Sequence, residues 1–124
     1  MSMGSKSYLM GPHFVGVLTT TLAPFRIVAM DTDGTVRTAT AVGDAIIGTG
    51  VNEAAMAIGE YIDVARQGVP PVVAGAAFNA GVWLTTDSTG RAVTSSTATD
   101  SRIGRAAVAA TAAGEIVSYI PALR

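Results

Sequence analysis

The chain has 124 residues, with 8 basic and 9 acidic side chains, a net charge of −1, no cysteine and a single histidine, His13. That length fits one ordinary domain. The lack of cysteine excludes disulfides, thiolate metal sites and cysteine nucleophiles, and with no basic field neither nucleic acid nor membrane is an expected partner. Charged residues make up only 14% of the chain, against about 25% in an average domain. Ala (22), Thr (15), Val (14) and Gly (14) dominate instead. Thr and Val punctuated by Gly favour many short strands. An alanine-rich core gains little, since burial yields about 0.8 kcal/mol per methylene against about 1–2 kcal/mol to order each backbone residue. Part of the stability is therefore expected to come from association with other chains.

Residues 1–21 read as an extended N-terminal arm. The start is polar, with one basic residue, Lys6, and no apolar run of signal-peptide type. It turns apolar at Tyr8, Leu9 and Met10, breaks at Gly11-Pro12, and continues through His13 and Phe14. This stretch has no evident counterpart later in the chain. Tyr8, Leu9, Met10, Pro12, His13 and Phe14 are therefore candidates to pack on a neighbouring subunit.

Residues 22–124 read as a single β domain built from two related halves, about 25–68 and 80–121. Strands are expected over 25–30, 35–40, 46–51 and 61–66, then over 82–86, 91–97, 102–108 and 116–120. Within 46–51, Ile47, Thr49 and Val51 share a face at period two. The stretch 52–58 has a helix start signal and good helix formers, but it is short and lies between β-branched runs. At most one helical turn is expected at 53–58. Between the halves, Pro70 and Pro71 exclude a central strand and leave an edge segment or a crossover. The longest uncharged stretch, 69–84, is too short and too broken to span a bilayer.

Four landmarks tie the halves together. Asp31-Thr32-Asp33-Gly34 overlies Asp87-Ser88-Thr89-Gly90 at an offset of 56, as Asp44 overlies Asp100 and Ile47-Gly48 overlies Ile103-Gly104. After a single-residue gap, Gly59-Glu60 overlies Gly114-Glu115. Asp31, Asp33, Gly34, Asp87 and Gly90 suit hairpin turns, because Asp bonds its own backbone and Gly accepts positive φ. Glu60 and Glu115 are expected to cap backbone in a second turn beside Gly59 and Gly114.

Catalytic patterns are lacking. Asp31-x-Asp33-Gly34 opens like a calcium loop, but the twelfth position is Val42. Gly48-Thr49-Gly50 lacks the third glycine of a dinucleotide fingerprint, and no Gly-x-Ser-x-Gly elbow occurs. Glu53, Glu60 and Asp63 are read as structural rather than as a glycosidase pair. Trp83, Phe78 and Phe25 are read as core anchors. Arg26, Arg37, Arg66, Arg91, Arg102 and Arg105 are read as solvated faces or inter-subunit salt bridges. No enzyme, metal or cofactor is expected.

The run Ile47 to Ala55, then Gly59-Glu60-Tyr61-Ile62-Asp63-Val64-Ala65-Arg66-Gln67-Gly68, resembles the capsid cement, or head decoration, family of tailed bacteriophages. Ala80 to Leu84, Asp87-x-x-Gly90, Ile103-Gly104 and Gly114 to Val117 are similar to its second half. The resemblance covers about residues 22–123. It implies an all-β fold, a compact β-barrel or β-tulip-like domain of two halves with an extended N-terminal arm. It also implies a structural virion protein on the outer surface of an icosahedral head, bridging major capsid subunits as a homotrimer, with a dimer as the fallback. The rivals are another virion part, such as a tail or fibre base, and a small glycan- or ligand-binding module with a concave site lined by Trp83, Tyr61 or Tyr119.

Overall fold

A computed structural model describes residues 13–122. The fold is all-β, with no helix among the described residues. Strands β1 (His13–Val17), β2 (Ile27–Met30), β3 (Val36–Thr38), β4 (Ile46–Gly50) and β5 (Tyr61–Ala65) form one antiparallel sheet in the order β1-β5-β4-β2-β3. Strands β6 (Pro71–Val73), β7 (Trp83–Thr86), β8 (Ala92–Thr94), β9 (Gly104–Ala106) and β10 (Ile116–Pro121) form a second sheet in the order β6-β10-β9-β7-β8. The topology of the first half is thus repeated strand for strand. Neither sheet closes into a barrel. In each, the edges meet at one isolated parallel bridge, Leu18 with Val36 and Ala74 with Ala92.

The repeat reaches further toward the N-terminus than the sequence suggests. His13–Val17 is the first sheet's edge strand, paired with β5 from His13↔Ala65 to Val17↔Tyr61. Its counterpart is the proline-bounded edge strand β6, paired with β10 from Val73↔Ile116 to Ser118↔Pro71. The similarity is hidden because Pro71 stands at the position of Val15 and only Val17 and Val73 agree, and an edge strand needs only its backbone groups on one side. The expected helical turn at 53–58 is also not formed. Met56 instead exchanges two backbone hydrogen bonds with Leu22, both 2.9 Å, as Ala110 does with Phe78 (2.9 and 3.0 Å). Tertiary pairing overrides a weak local propensity there.

The first half has its own interior: Leu18, Leu22, Val28, Val36, Ile62 and Val64, with Ile47 and Met56 packed against it. At the corresponding positions the second half has Ala74, Phe78, Leu84, Ala92, Val117 and Tyr119. Two aromatic rings there fill the space left by two alanines, a redistribution of roughly constant volume that cores tolerate. That second interior is continuous with Ile27, Ala29, Ala39 and Ile46 of the first half.

A bulge in β4 makes this continuity possible. Val28 pairs with Gly48 but Ala29 pairs with Ile46, so Ile47 is the extra residue. Gly48 has φ 151°, and a Cβ there would collide with the Ala65 carbonyl oxygen. The bulge breaks the expected period-two face. Ile47 turns to the first interior, while Ile46 and Thr49 turn to the second half. Gly104, with φ 149°, repeats the close approach, since a Cβ there would collide with the Ile120 carbonyl oxygen.

The two halves are joined at a buried polar contact. Thr49 Oγ1 and the Tyr119 hydroxyl share a hydrogen bond of 3.0 Å, and both residues are essentially inaccessible. Burial pushes the Tyr119 hydroxyl up to about 12. Its folded-state value lies above the ordinary 10, so its stability contribution is complete below pH 10 and is lost as pH rises through 12. Tyr119→Phe leaves the Thr49 hydroxyl buried without its partner and should cost about 1–3 kcal/mol. Urea unfolding at pH 7 measures that loss. Combining it with Thr49→Val should restore part of it, because both polar groups are then gone.

Candidate interaction surfaces

The candidate arm residues Tyr8, Leu9, Met10 and Pro12 lie outside the described residues. His13 and Phe14 are the first two residues of β1, opposite Ala65 and Val64.

The candidate turn residues occupy turns and serve them. Asp33 accepts from Thr35 N (3.1 Å) and Thr35 Oγ1 (2.6 Å), and those bonds hold its carboxyl below the usual range. Asp31 accepts from Arg37 Nε at 2.9 Å. Asp87 is raised by burial, but hydrogen bonds from Arg91 and Thr89 outweigh this and lower it. Its partners are Thr89 N and Arg91 N, each 2.9 Å, and Arg91 Nε at 3.0 Å. Gly34 and Gly90 take the positive φ that closes each hairpin, 88° and 80°. At the second turn, Glu60 accepts from Ala57 N at 2.6 Å. Glu115 accepts from Thr111 N at 3.1 Å and from the Thr111 hydroxyl, which holds its carboxyl down. Gly59 and Gly114 adopt φ 89° and 92° beside them. No group of three or more His, Cys, Asp or Glu among the described residues could hold a metal ion.

The three aromatics of the ligand-module reading are separated. Tyr119 is core. Tyr61 is 70% exposed and borders an open depression of roughly 200 Å³ with Asn52, Met56 and Asp63. Trp83 is half-buried under two arginines, with Arg105 Cζ 4.3 Å and Arg102 Cζ 5.2 Å from its ring centroid. Trp83 is therefore a surface platform rather than a core anchor. Phe78 is buried as expected, and Phe25 is half-buried with φ 55°.

The arginine–tryptophan cluster escaped the sequence reading, although its signal was present. At the offset of 56, Trp83 stands at the position of Ile27, Arg102 at Ile46 and Arg105 at Thr49. Arg105 lies in β9 opposite Trp83, and Arg102 lies just before that strand. Arg105 Nη1 donates to Gly81 O at 3.0 Å. Arg102 donates to Ser95 Oγ (2.9 Å) and Thr97 O (3.0 Å). The cluster is thus preset rather than loose. Exposed apolar side chains flank the sheets elsewhere, namely Ile58, Tyr61, Val69, Ile116 and Ile120.

The family model described as phage cement protein matches residues 25–120. The chain belongs to this phage cement protein family. It is a structural protein associated with the phage virion. Sequence comparison with curated proteins gave no match. Among solved structures, the fold is similar to the head fiber gp8.5 N base of bacteriophage phi29. The TM-score is 0.66 at 19% identity, covering 89% of this chain and 92% of that one. At that identity the likeness concerns the fold alone. In this cement protein the matched region begins just before β2 and contains the β4 bulge and both pairs of turns.

One ion-pair network braces the first half against acid. Arg37 bridges Asp31 (2.9 Å) and Asp44 (3.0 Å). The Arg37 hydrogen bond, helped by Thr40 N and Ala41 N, holds Asp44 at about 2, below its ordinary 3.8, against the upward push of burial. A depressed folded value means that this stability is present above pH 3.8 and lost as pH falls through about 2. Asp44→Asn should lower stability at pH 7 and flatten the fall between pH 4 and pH 2. Urea midpoints across that range test both parts.

Proposed function

We propose that this protein decorates the outer surface of an icosahedral phage head and stabilises it by bridging major capsid subunits, as a homotrimer. Its role is structural and not enzymatic. The observation that supports the reading most is the family match over residues 25–120. The physics of the chain is consistent with it. Genome packing stresses the shell outward, and a clamp across subunits adds interface area without chemistry. Stable protein interfaces bury about 1,200–2,000 Å² in total, a large share of a 12.5 kDa chain. Small residues, a net charge of −1 and exposed apolar side chains such as Tyr61 and Ile116 suit close packing on a partner. A second reading, the base of a fibre on the head, is favoured by the fold likeness to the phi29 head fiber base.

Mixing the purified protein with expanded, undecorated heads should give saturable co-sedimentation and a higher temperature of head disruption. Binding without added heat resistance would instead favour the fibre-base reading. Absence of binding would sink both. Removing residues 1–12 keeps β1 whole, so the truncated chain should keep its unfolding temperature but bind heads more weakly. Undiminished attachment would remove the arm from the interface.

A further inference from the structure

The outer face of the first sheet is covered at one end and open at the other. On β5, Ile62 and Val64 belong to the first interior, so Tyr61, Asp63 and Ala65 point outward. Ala65 lies opposite Thr49. Both are buried, Thr49 against Tyr119 of the second half. At the other end Tyr61 is 70% exposed and Asp63 is exposed. These two line the open depression of roughly 200 Å³, together with Val51, Asn52, Met56 and Ile62.

The fold does not demand Tyr61 or Asp63, because its second half builds the same place without them. Ile116 faces Val73 as Tyr61 faces Val17, and Ser118 faces Pro71 as Asp63 faces Val15. A ring and a carboxylate thus stand where the second half has isoleucine and serine. Nor are their polar groups used within the chain. Neither the Tyr61 hydroxyl nor the Asp63 carboxylate has a hydrogen bond or ion pair among the described residues. Arg66, the next cation along the chain, makes none with Asp63.

The groups left over select the occupant. Residues 51–65 hold Glu53, Glu60 and Asp63 and no Lys, Arg or His, whereas 107–120 hold a single acid, Glu115. Asn52 is 8% exposed. Its Nδ2 donates to Leu22 O (3.1 Å) and Ala54 O (2.9 Å), so the amide has no donor to spare, while its Oδ1 has no partner. Apart from the Tyr61 hydroxyl, the polar side chains of the depression are therefore acceptors. A sugar needs donors as well as acceptors around its hydroxyls. A cation needs only what is there. The ring quadrupole attracts it, and a carboxylate gives it a charge-assisted hydrogen bond.

We propose that the Tyr61–Asp63 depression receives a lysine or arginine side chain of the major capsid subunit, a contact that rests on the cement reading and gives it a docking point. The volume is below the roughly 300–1,000 Å³ of a drug-sized ligand pocket. It fits the single anchoring side chain of a protein interface, where Arg is enriched. A second copy of this chain is a poor donor. Arg37 and Arg91 are held in ion pairs, and Arg26, Arg102 and Arg105 are tied to carbonyl oxygens. Among the described arginines that leaves Arg66.

Sedimentation of undecorated heads with each full-length variant measures the affinity. Tyr61→Ala and Asp63→Lys should each weaken binding about tenfold or more, with unchanged circular dichroism and unfolding temperature. Tyr61→Phe keeps the ring and should stay within about twofold of the wild type. Asp63→Asn, an isosteric change at an exposed site, should weaken binding and reduce its salt dependence. It keeps the test decisive if a larger change disturbs folding. Wild-type binding that Tyr61→Ala and Asp63→Asn leave undiminished would overturn the proposal while the cement reading stands. No binding by the wild type would sink the cement reading, and this contact with it. A loss in Tyr61→Phe as large as in Tyr61→Ala would make the hydroxyl the contact. A wild-type oligomer that Asp63→Lys dissociates would make a second copy the occupant. Either result overturns the proposal, as would saccharide binding by the isolated wild type that Tyr61→Ala abolishes.

Discussion

A glycine pressed against a neighbouring carbonyl is the constraint on which this structure turns. At Gly48 the backbone takes a conformation that side chains resist, and β4 gains one residue relative to β2. The extra residue breaks the alternation of a flat strand. Ile46 and Thr49 then face the same way across an interval of three, and Ile47 faces the other. A strand that would serve one core serves two. Without the bulge, Thr49 and Ile46 would lie on opposite faces, and the second half would lose either its polar anchor at Tyr119 or its apolar floor.

The duplication is structural before it is chemical. Turns, positive-φ glycines and bridges recur at nearly constant offset, because each is fixed by backbone geometry that only a few residues permit. The packed side chains recur far less. Leu18 and Val36 become Ala74 and Ala92, while Leu22 and Val64 become Phe78 and Tyr119. Where the outer face of the first half is Ile27, Ile46 and Thr49, that of the second is Trp83, Arg102 and Arg105. The scaffold has been kept while its two outer faces have diverged in residue type.

What could be read from the residues follows the same division. Asp-x-x-Gly turns, the Ile-Gly pairs and the Gly-Glu turns are local signals, so they were legible, and with them eight of the ten strands and the twofold plan. The edge strands were harder. β1 and β6 have only Val17 and Val73 in common at the offset of 56, and what defines each is a ladder to a strand more than 40 residues away. The bulge hid the facing of Ile46 and Thr49, because a period-two reading has no place for an extra residue. The tryptophan platform was missed for a related reason. Its arginines are three residues apart, and Arg102 lies outside β9, so a period-two reading does not bring them together.

The unequal sharing of core residues has a consequence for how the chain is made. Leu18, Leu22, Val28, Val36, Ile62 and Val64 close on themselves and use no residue beyond position 64. The interior of the second half cannot close alone, since Ile27, Ala29, Ala39 and Ile46 form part of its wall. During synthesis the N-terminal half emerges first and can fold as a unit, and it then offers a finished surface on which the later strands assemble. Order of translation and order of dependence coincide. Damage to the first half's core therefore propagates to both halves, whereas damage confined to the second touches none of those six residues.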